Sequence, residues 1–216
     1  MLANQKQLAA LGEMFRTGTK QEYAKGEFLV RPGGPPPGVF FVESGLVKAY
    51  DITKYGEENL LIIRRNGEIL GLTWAVTGKA RDIIYTALAP TTVWLISRDT
   101  FLTYLQDNPI VAIPVMRLLA DMYRIHGERI MTLEYRTVRE RLASFLINMA
   151  DRFGEKTADG TRINAPLRHQ DIASSISATR ETTSRTLSEL EHKGIVRNEQ
   201  SHLLICDFDA LNAIIQ

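Results

Sequence analysis

From about residue 18 to 105 the apolar residues come in short runs such as Val39-Phe40-Phe41-Val42, Leu60-Leu61-Ile62-Ile63 and Thr92-Val93-Trp94-Leu95-Ile96. Glycines punctuate them at Gly26, Gly33, Gly38, Gly45, Gly56, Gly67, Gly71 and Gly78. Runs of this length between turn residues predict β-strands, and their number and spacing predict an antiparallel barrel or roll. Pro35-Pro36-Pro37 reads as a stiff extended loop inside it, because each proline fixes φ and removes a donor.

The period changes past Asn108-Pro109, where Asn108 is placed to cap and Pro109 to occupy the first helical position. A helix is expected to about Tyr135, with Pro114 ending or kinking its first turn. Met116, Leu119, Tyr123, His126, Ile130 and Leu133 recur at alternating steps of three and four, the seam of a two-helix coiled coil, so a homodimer is expected. The competing reading packs this stripe on the chain's own roll. A second helix, Thr137 to Phe153, carries Leu142, Phe145, Leu146 and Met149 on one face and stops at Gly154. A polar turn at Asp159-Gly160, two short helices and a closing hairpin ending at Ile205 follow. The expected class is α+β, organised as a sensing roll over 1–107, a dimerisation helix over 108–135 and a winged helix-turn-helix over 136–216.

Composition adds exclusions. With 44% hydrophobic residues in 216 the chain can bury a core, and no apolar stretch approaches the roughly 20 residues of a membrane helix. The N-terminal stretch lacks a basic flank followed by a long apolar run, so a cytoplasmic protein with no membrane contact is expected. Cys206 is the only cysteine, which excludes an internal disulfide and a four-cysteine metal site within one chain. The net charge is +1, and 136–200 holds 11 Lys/Arg against 9 Asp/Glu, an excess of two. Bulk charge therefore gives no argument for nucleic acid, and the placement of single residues has to.

That placement is found over Leu167–Leu190, two short helices around a tight turn. On the second, Thr183, Leu187 and Leu190 share one side. Glu181, Ser184, Arg185 and Ser188 share the opposite side, with Arg180 at its edge. Arginine clasps guanine O6 and N7, and glutamate accepts from a cytosine amino group. Thr179 is a suitable cap, leaving the positive end of the helix dipole for phosphate. A solvated face of charges is the plain alternative. The flanking Gly194–Arg197 and Leu203–Cys206 runs, which read as a two-stranded wing, weigh against it.

These residues resemble the CRP/FNR regulators, over nearly the whole chain. In the N-terminal half the matching features are Lys25-Gly26-Glu27, Phe40-Phe41-Val42 with Gly45, and Asn66-Gly67-Glu68-Ile69-Leu70-Gly71, similar to the turns of a cyclic-nucleotide-binding β-roll. In the C-terminal half they are Gln170-Asp171-Ile172-Ala173 and the stretch from Thr179 to Ile195. The resemblance implies a transcription regulator that binds double-stranded DNA as a homodimer and works with RNA polymerase, reading bases through Arg180, Glu181, Ser184 and Arg185, with Thr179 and His169 at the interface. Cyclic AMP receptors read TGTGA through Arg-Glu-x-x-x-Arg, and the FNR kind reads TTGAT through Glu-x-x-Ser-Arg. This chain satisfies both, so the shared GA core is expected and the outer bases stay open. Two positions depart from the family pattern: Ser177 stands for the turn glycine, and Arg168 for the Ser or Thr cap.

The resemblance also implies a small-molecule effector. In cyclic AMP receptors a glutamate and an Arg-Ser pair after the glycine turn hold ribose and phosphate, whereas here Leu72 and Arg81-Asp82 occupy those places. Asp82 would set a carboxylate against the phosphate, which disfavours cyclic AMP. The N-terminal half has no histidine or cysteine, so neither an FNR-like cluster nor a histidine-bound haem is expected, and no cofactor or metal is assigned. The expected site is a mostly apolar pocket of Gly71, Leu72, Thr73, Trp74 and Val76, with Arg81 as anchor, suited to a small organic or carboxylate effector. The anchoring arginine of the 2-oxoglutarate-responsive branch falls at Ile83. His126 is either a register-setting seam residue or a ligand contact. The other class of function is a sensor acting through a protein partner without specific DNA contact. An enzyme is not expected, for want of a Ser/His/Asp order, a phosphate-binding glycine loop or metal-ligand spacing.

Overall fold

The computed structural model describes residues 5–199 and 202–216. Residues 1–4, part of the stretch read above for a leader, lie outside them. The elements run α1 (Gln5–Arg16), β1 (Thr19–Tyr23), β2 (Phe28–Val30), β3 (Val39–Ser44), β4 (Leu46–Ile52), β5 (Glu58–Arg65), β6 (Ile69–Leu70), α2 (Leu72–Thr77), β7 (Ile84–Ala87), β8 (Thr91–Ile96) and α3 (Arg98–Asp107). They continue with α4 (Pro109–Tyr135), α5 (Val138–Phe153), β9 (Gly154–Thr157), β10 (Gly160–Ile163), α6 (His169–Ser175), α7 (Arg180–His192), β11 (Val196–Glu199), β12 (His202–Ile205) and α8 (Phe208–Ala213). Contacts divide the chain into two units. One takes residues up to Gly56 together with Leu61–His126, and the other takes Glu57–Leu60 with Gly127–Gln216.

The first unit is the expected roll, built of two antiparallel sheets with strand orders β1-β8-β3-β6 and β2-β7-β4-β5. In a strand successive side chains alternate faces, so Val39-Phe40-Phe41-Val42, buried throughout, serves two cores at once. Phe40 and Val42 join Leu29, Val47, Ala49, Leu70, Tyr85 and Val93 between the sheets. Val39 and Phe41 face the other way and pack with Phe15 of α1, Leu72 of α2, Phe101 of α3 and Val115 and Leu118 of α4. Phe15 stacks on Phe41 at 5.3 Å between ring centroids. The helices α1 and α3, which the strand pattern did not announce, are what cover this outer face.

The long helix is present, with two corrections to how it was read. Asn108 does not cap it: its side-chain amide donates to Tyr104 O at 3.0 Å and so closes α3. The helix also runs through Pro114, which is buried. Leu119 packs against the outer core of the roll, and Leu133 is half-buried. The exposed stripe instead passes through Ile113, Met116, Ala120, Tyr123 and Ile130, with half-exposed Gly127 between the last two. The steps of three and four survive, but every second position moves by one residue.

In the second unit α5 begins at a capping box, Thr137 Oγ1 accepting from Glu140 N and Glu140 Oε2 from Thr137 N at 2.7 Å. It ends at Gly154, where a Cβ would meet Ala150 O at 2.2 Å and Thr161 Cγ2 at 2.7 Å, so only glycine allows β9 to start so close. The wing is larger than expected: β11 and β12 continue through β10 to β9 in one four-stranded antiparallel sheet. Buried Leu142, Leu146, Leu190 and Ile172 form the helical core against which α8 adds Leu211.

Candidate nucleic-acid interface

The turn between α6 and α7 is set by Ser177 at φ 49°, the one left-handed non-glycine among the described residues. Such a conformation costs an L-residue on the order of 1 kcal/mol. Ala178 N, bonding back to Ala173 O at 3.0 Å, closes the turn around it. Thr179 then starts α7 as expected, its hydroxyl accepting from Thr182 N at 3.1 Å.

Helix α7 is divided lengthwise. Thr183, Thr186, Leu187 and Leu190 are buried, while Arg180, Glu181, Arg185 and Ser188 are exposed. Neither Arg180 nor Arg185 is held in an ion pair among the described residues, so both keep their guanidinium donors for an incoming acceptor. Ser184 is half-buried, its Oγ 2.8 Å from Nδ1 of His169 at the first position of α6. The structure thus brings Arg180, Glu181, Ser184, Arg185, Thr179 and His169 to one end of the helix pair. The N-terminal half of a helix presents base-reading side chains there, and its dipole favours phosphate.

The missing cap at Arg168 is made good from the other side. Asp171, buried, accepts from the backbone N–H of Arg168 at 3.1 Å and from its guanidinium through both oxygens at 3.0 and 3.1 Å. Glu58 Oε2, from the segment that belongs to this unit, receives Arg168 Nη2 at 2.6 Å. Hydrogen bonding to Asp171 chiefly, then to Glu58, raises the Arg168 pKa above the usual arginine value. A bidentate arginine–carboxylate pair is among the stronger polar contacts, so an atypical cap residue still anchors the first helix. Leu60 N donates to Ser174 Oγ, and Arg129 Nη1 to Leu60 O at 3.0 Å, which fastens the same segment to α6 and to the end of α4.

The residues read as an effector pocket are not gathered into one lining. Leu72 is buried in the helix-side core with Trp74 against it, whereas Thr73 and Val76 are exposed. Arg81 and its neighbour Asp82 are exposed. What converges instead is a polar cluster around Tyr85, which lies between the sheets. The Gly71 backbone and the charges of Arg64 and Arg81 all act to favour ionisation of its hydroxyl. Burial pushes the Tyr85 pKa up, and those three groups oppose it. Arg64, buried, pairs with Glu68 at 3.3 Å. The signal for Arg64 and Tyr85 was present as register: both sit at inward positions of strands whose neighbours Ile62 and Ala87 are apolar. His126 is half-buried. No group of three or more potential metal ligands occurs among the described residues, and none of their helices is long and apolar enough to cross a membrane.

Comparison with known proteins matches residues 20–108 to the cyclic nucleotide-binding domain and residues 140–214 to the Crp-like helix-turn-helix domain. The chain is 32% identical over 178 residues to a global nitrogen regulator of Nostoc, covering 82% of this chain and 80% of that protein. It is 26% identical over 190 residues to the CRP-like cAMP-activated global transcriptional regulator of Mycobacterium tuberculosis, covering 88% and 85%. Among solved structures, a CooA mutant from Carboxydothermus hydrogenoformans superposes with a TM-score of 0.80 at 24% identity, covering all of this chain and 98% of that one.

Proposed function

Because the chain belongs to the CRP/FNR family of DNA-binding transcription regulators, whose members compared above are not enzymes, we propose that it binds a pseudo-palindrome as a homodimer. Each half-site carries a GA core read by Glu181 and Arg185 through adjacent major grooves. The observation that carries this reading is the common exposed face of Arg180, Glu181 and Arg185 at the capped start of α7. Dimerisation is supported by the exposed apolar stripe of α4, and RNA polymerase is the partner through which bound protein acts on transcription. Selection of DNA from a random pool tests the proposal: specific sites should bind about a thousandfold or more tighter than random duplex, with a steep salt dependence in both. Equal affinity for both pools would favour the other class of function, a sensor that acts through a protein partner.

The effector, in this reading, is a small organic anion held at the Tyr85 cluster by Arg81 and Arg64, with the Gly71 turn beside it. Cyclic AMP does not fit, since Leu72 stands in the place of the ribose-binding glutamate and is itself buried in the outer core. A thermal-shift screen of carboxylate and phosphate metabolites should find one that adds about 2.7 kcal/mol at one hundred times its dissociation constant. That gain should vanish in Arg81→Ala. An anion that stabilises Arg81→Ala equally well would place the site elsewhere.

A further inference from the structure

A serine or threonine inside a helix commonly bonds the carbonyl four residues back, as Thr186 Oγ1 does to Thr182 O at 2.9 Å. Ser184, two positions earlier on the same helix, has Oγ 2.8 Å from His169 Nδ1, across the turn on α6. We infer that His169 positions Ser184 and thereby sets which base Ser184 reads: the hydroxyl meets DNA as an acceptor only, opposite a base with an exocyclic amino group, adenine or cytosine. This rests on the DNA-reading role proposed for α7.

A neutral imidazole ring has one N–H and one bare nitrogen, and the partner of one fixes the state of the other. His169 is the first residue of α6, and the first helix of a helix-turn-helix crosses the DNA backbone, where phosphate oxygens accept. Nε2, the nitrogen not facing Ser184, keeps its proton to donate there, so Nδ1 is bare and takes the hydrogen of the Ser184 hydroxyl. Ser184 is left with lone pairs alone. In the major groove those are complementary to adenine N6 and cytosine N4, and they oppose the keto oxygens of thymine and guanine. A phosphate contact at α6 is in this way tied to base choice at α7, and donation to guanine on this face is left to Arg180 and Arg185.

The test is site selection from a random pool by the full-length protein and three variants, each checked for unchanged melting. Ser184→Ala should flatten the preference at one half-site position by about fivefold to tenfold, the size of a single hydrogen bond. His169→Phe should flatten the same position, because the freed hydroxyl then donates as well as accepts. His169→Asn, whose amide oxygen can replace Nδ1, should restore it. In the selected site, replacing the base at that position by its analogue without the amino group should weaken the wild type and leave Ser184→Ala unaffected. The inference is overturned if His169→Phe lowers binding to all sequences equally with the position intact, if Ser184→Ala moves no position, or if the amino-less base binds the wild type as well as before. A wild type that enriches no sequence at all is a different failure, that of the DNA-reading proposal itself.

Discussion

Arg185→Ala is expected to leave a folded dimer that no longer distinguishes the GA core. Arg185 is exposed, so its loss removes no packing. A bidentate arginine–guanine pair is worth about 1–3 kcal/mol, which corresponds to roughly fivefold to somewhat over a hundredfold discrimination per half-site. Two half-sites double that free energy in the dimer. Affinity for random DNA should fall far less, because most of it comes from phosphate contacts. Competition gel shifts at fixed salt, with the selected site against the same site changed at the guanine, measure the ratio. A variant that keeps the wild-type ratio would remove Arg185 from base reading.

The features that were readable in advance share a cause: each is determined within a few residues. The stop at Gly154, the Thr179 cap and the two faces of α7 follow from spacing along one stretch of backbone, and the structure has them where the pattern put them. Ser177 in the left-handed turn belongs with them. What went unread is determined across the chain. Arg168 gains its anchor from Asp171 three residues on and from Glu58 110 residues back, and only the first of these is visible as a local pattern. Leu72 and Trp74 have the right chemistry for a ligand pocket, yet α1, α3 and α4 claim them for a core on the other side of the sheet. The same competition turns Leu119 toward the roll's own core and leaves the exposed stripe to its neighbours. Periodicity says that a stripe exists, and tertiary packing decides which neighbouring residue completes it.

That shift in the seam gives the second large effect. Ile113, Met116, Tyr123 and Ile130 are 43%, 59%, 82% and 62% exposed, an apolar row that a single chain leaves in water. Ala120 and Gly127 interrupt it at the intervening seam positions, and a Cβ at Gly127 would meet nothing within 4 Å. Small residues at alternate seam positions let a second helix approach closely beside the large ones, as knobs into holes require. Replacing Tyr123 and Ile130 together by aspartate should therefore spare the monomer, whose core uses neither, while placing four carboxylates on facing seams. The expected result is a monomer by sedimentation with a nearly unchanged melting midpoint at high dilution. Its affinity for the full palindrome should fall by about a thousandfold or more, since each chain then holds one half-site without the linkage that makes the second contact intramolecular. Aspartate at Leu119 and Leu133 makes the contrast: Leu119 lies against the roll's own core, so that pair should unfold the chain before it separates two copies. A Tyr123/Ile130 variant that stays dimeric and binds the palindrome at wild-type strength would move the interface off this stripe.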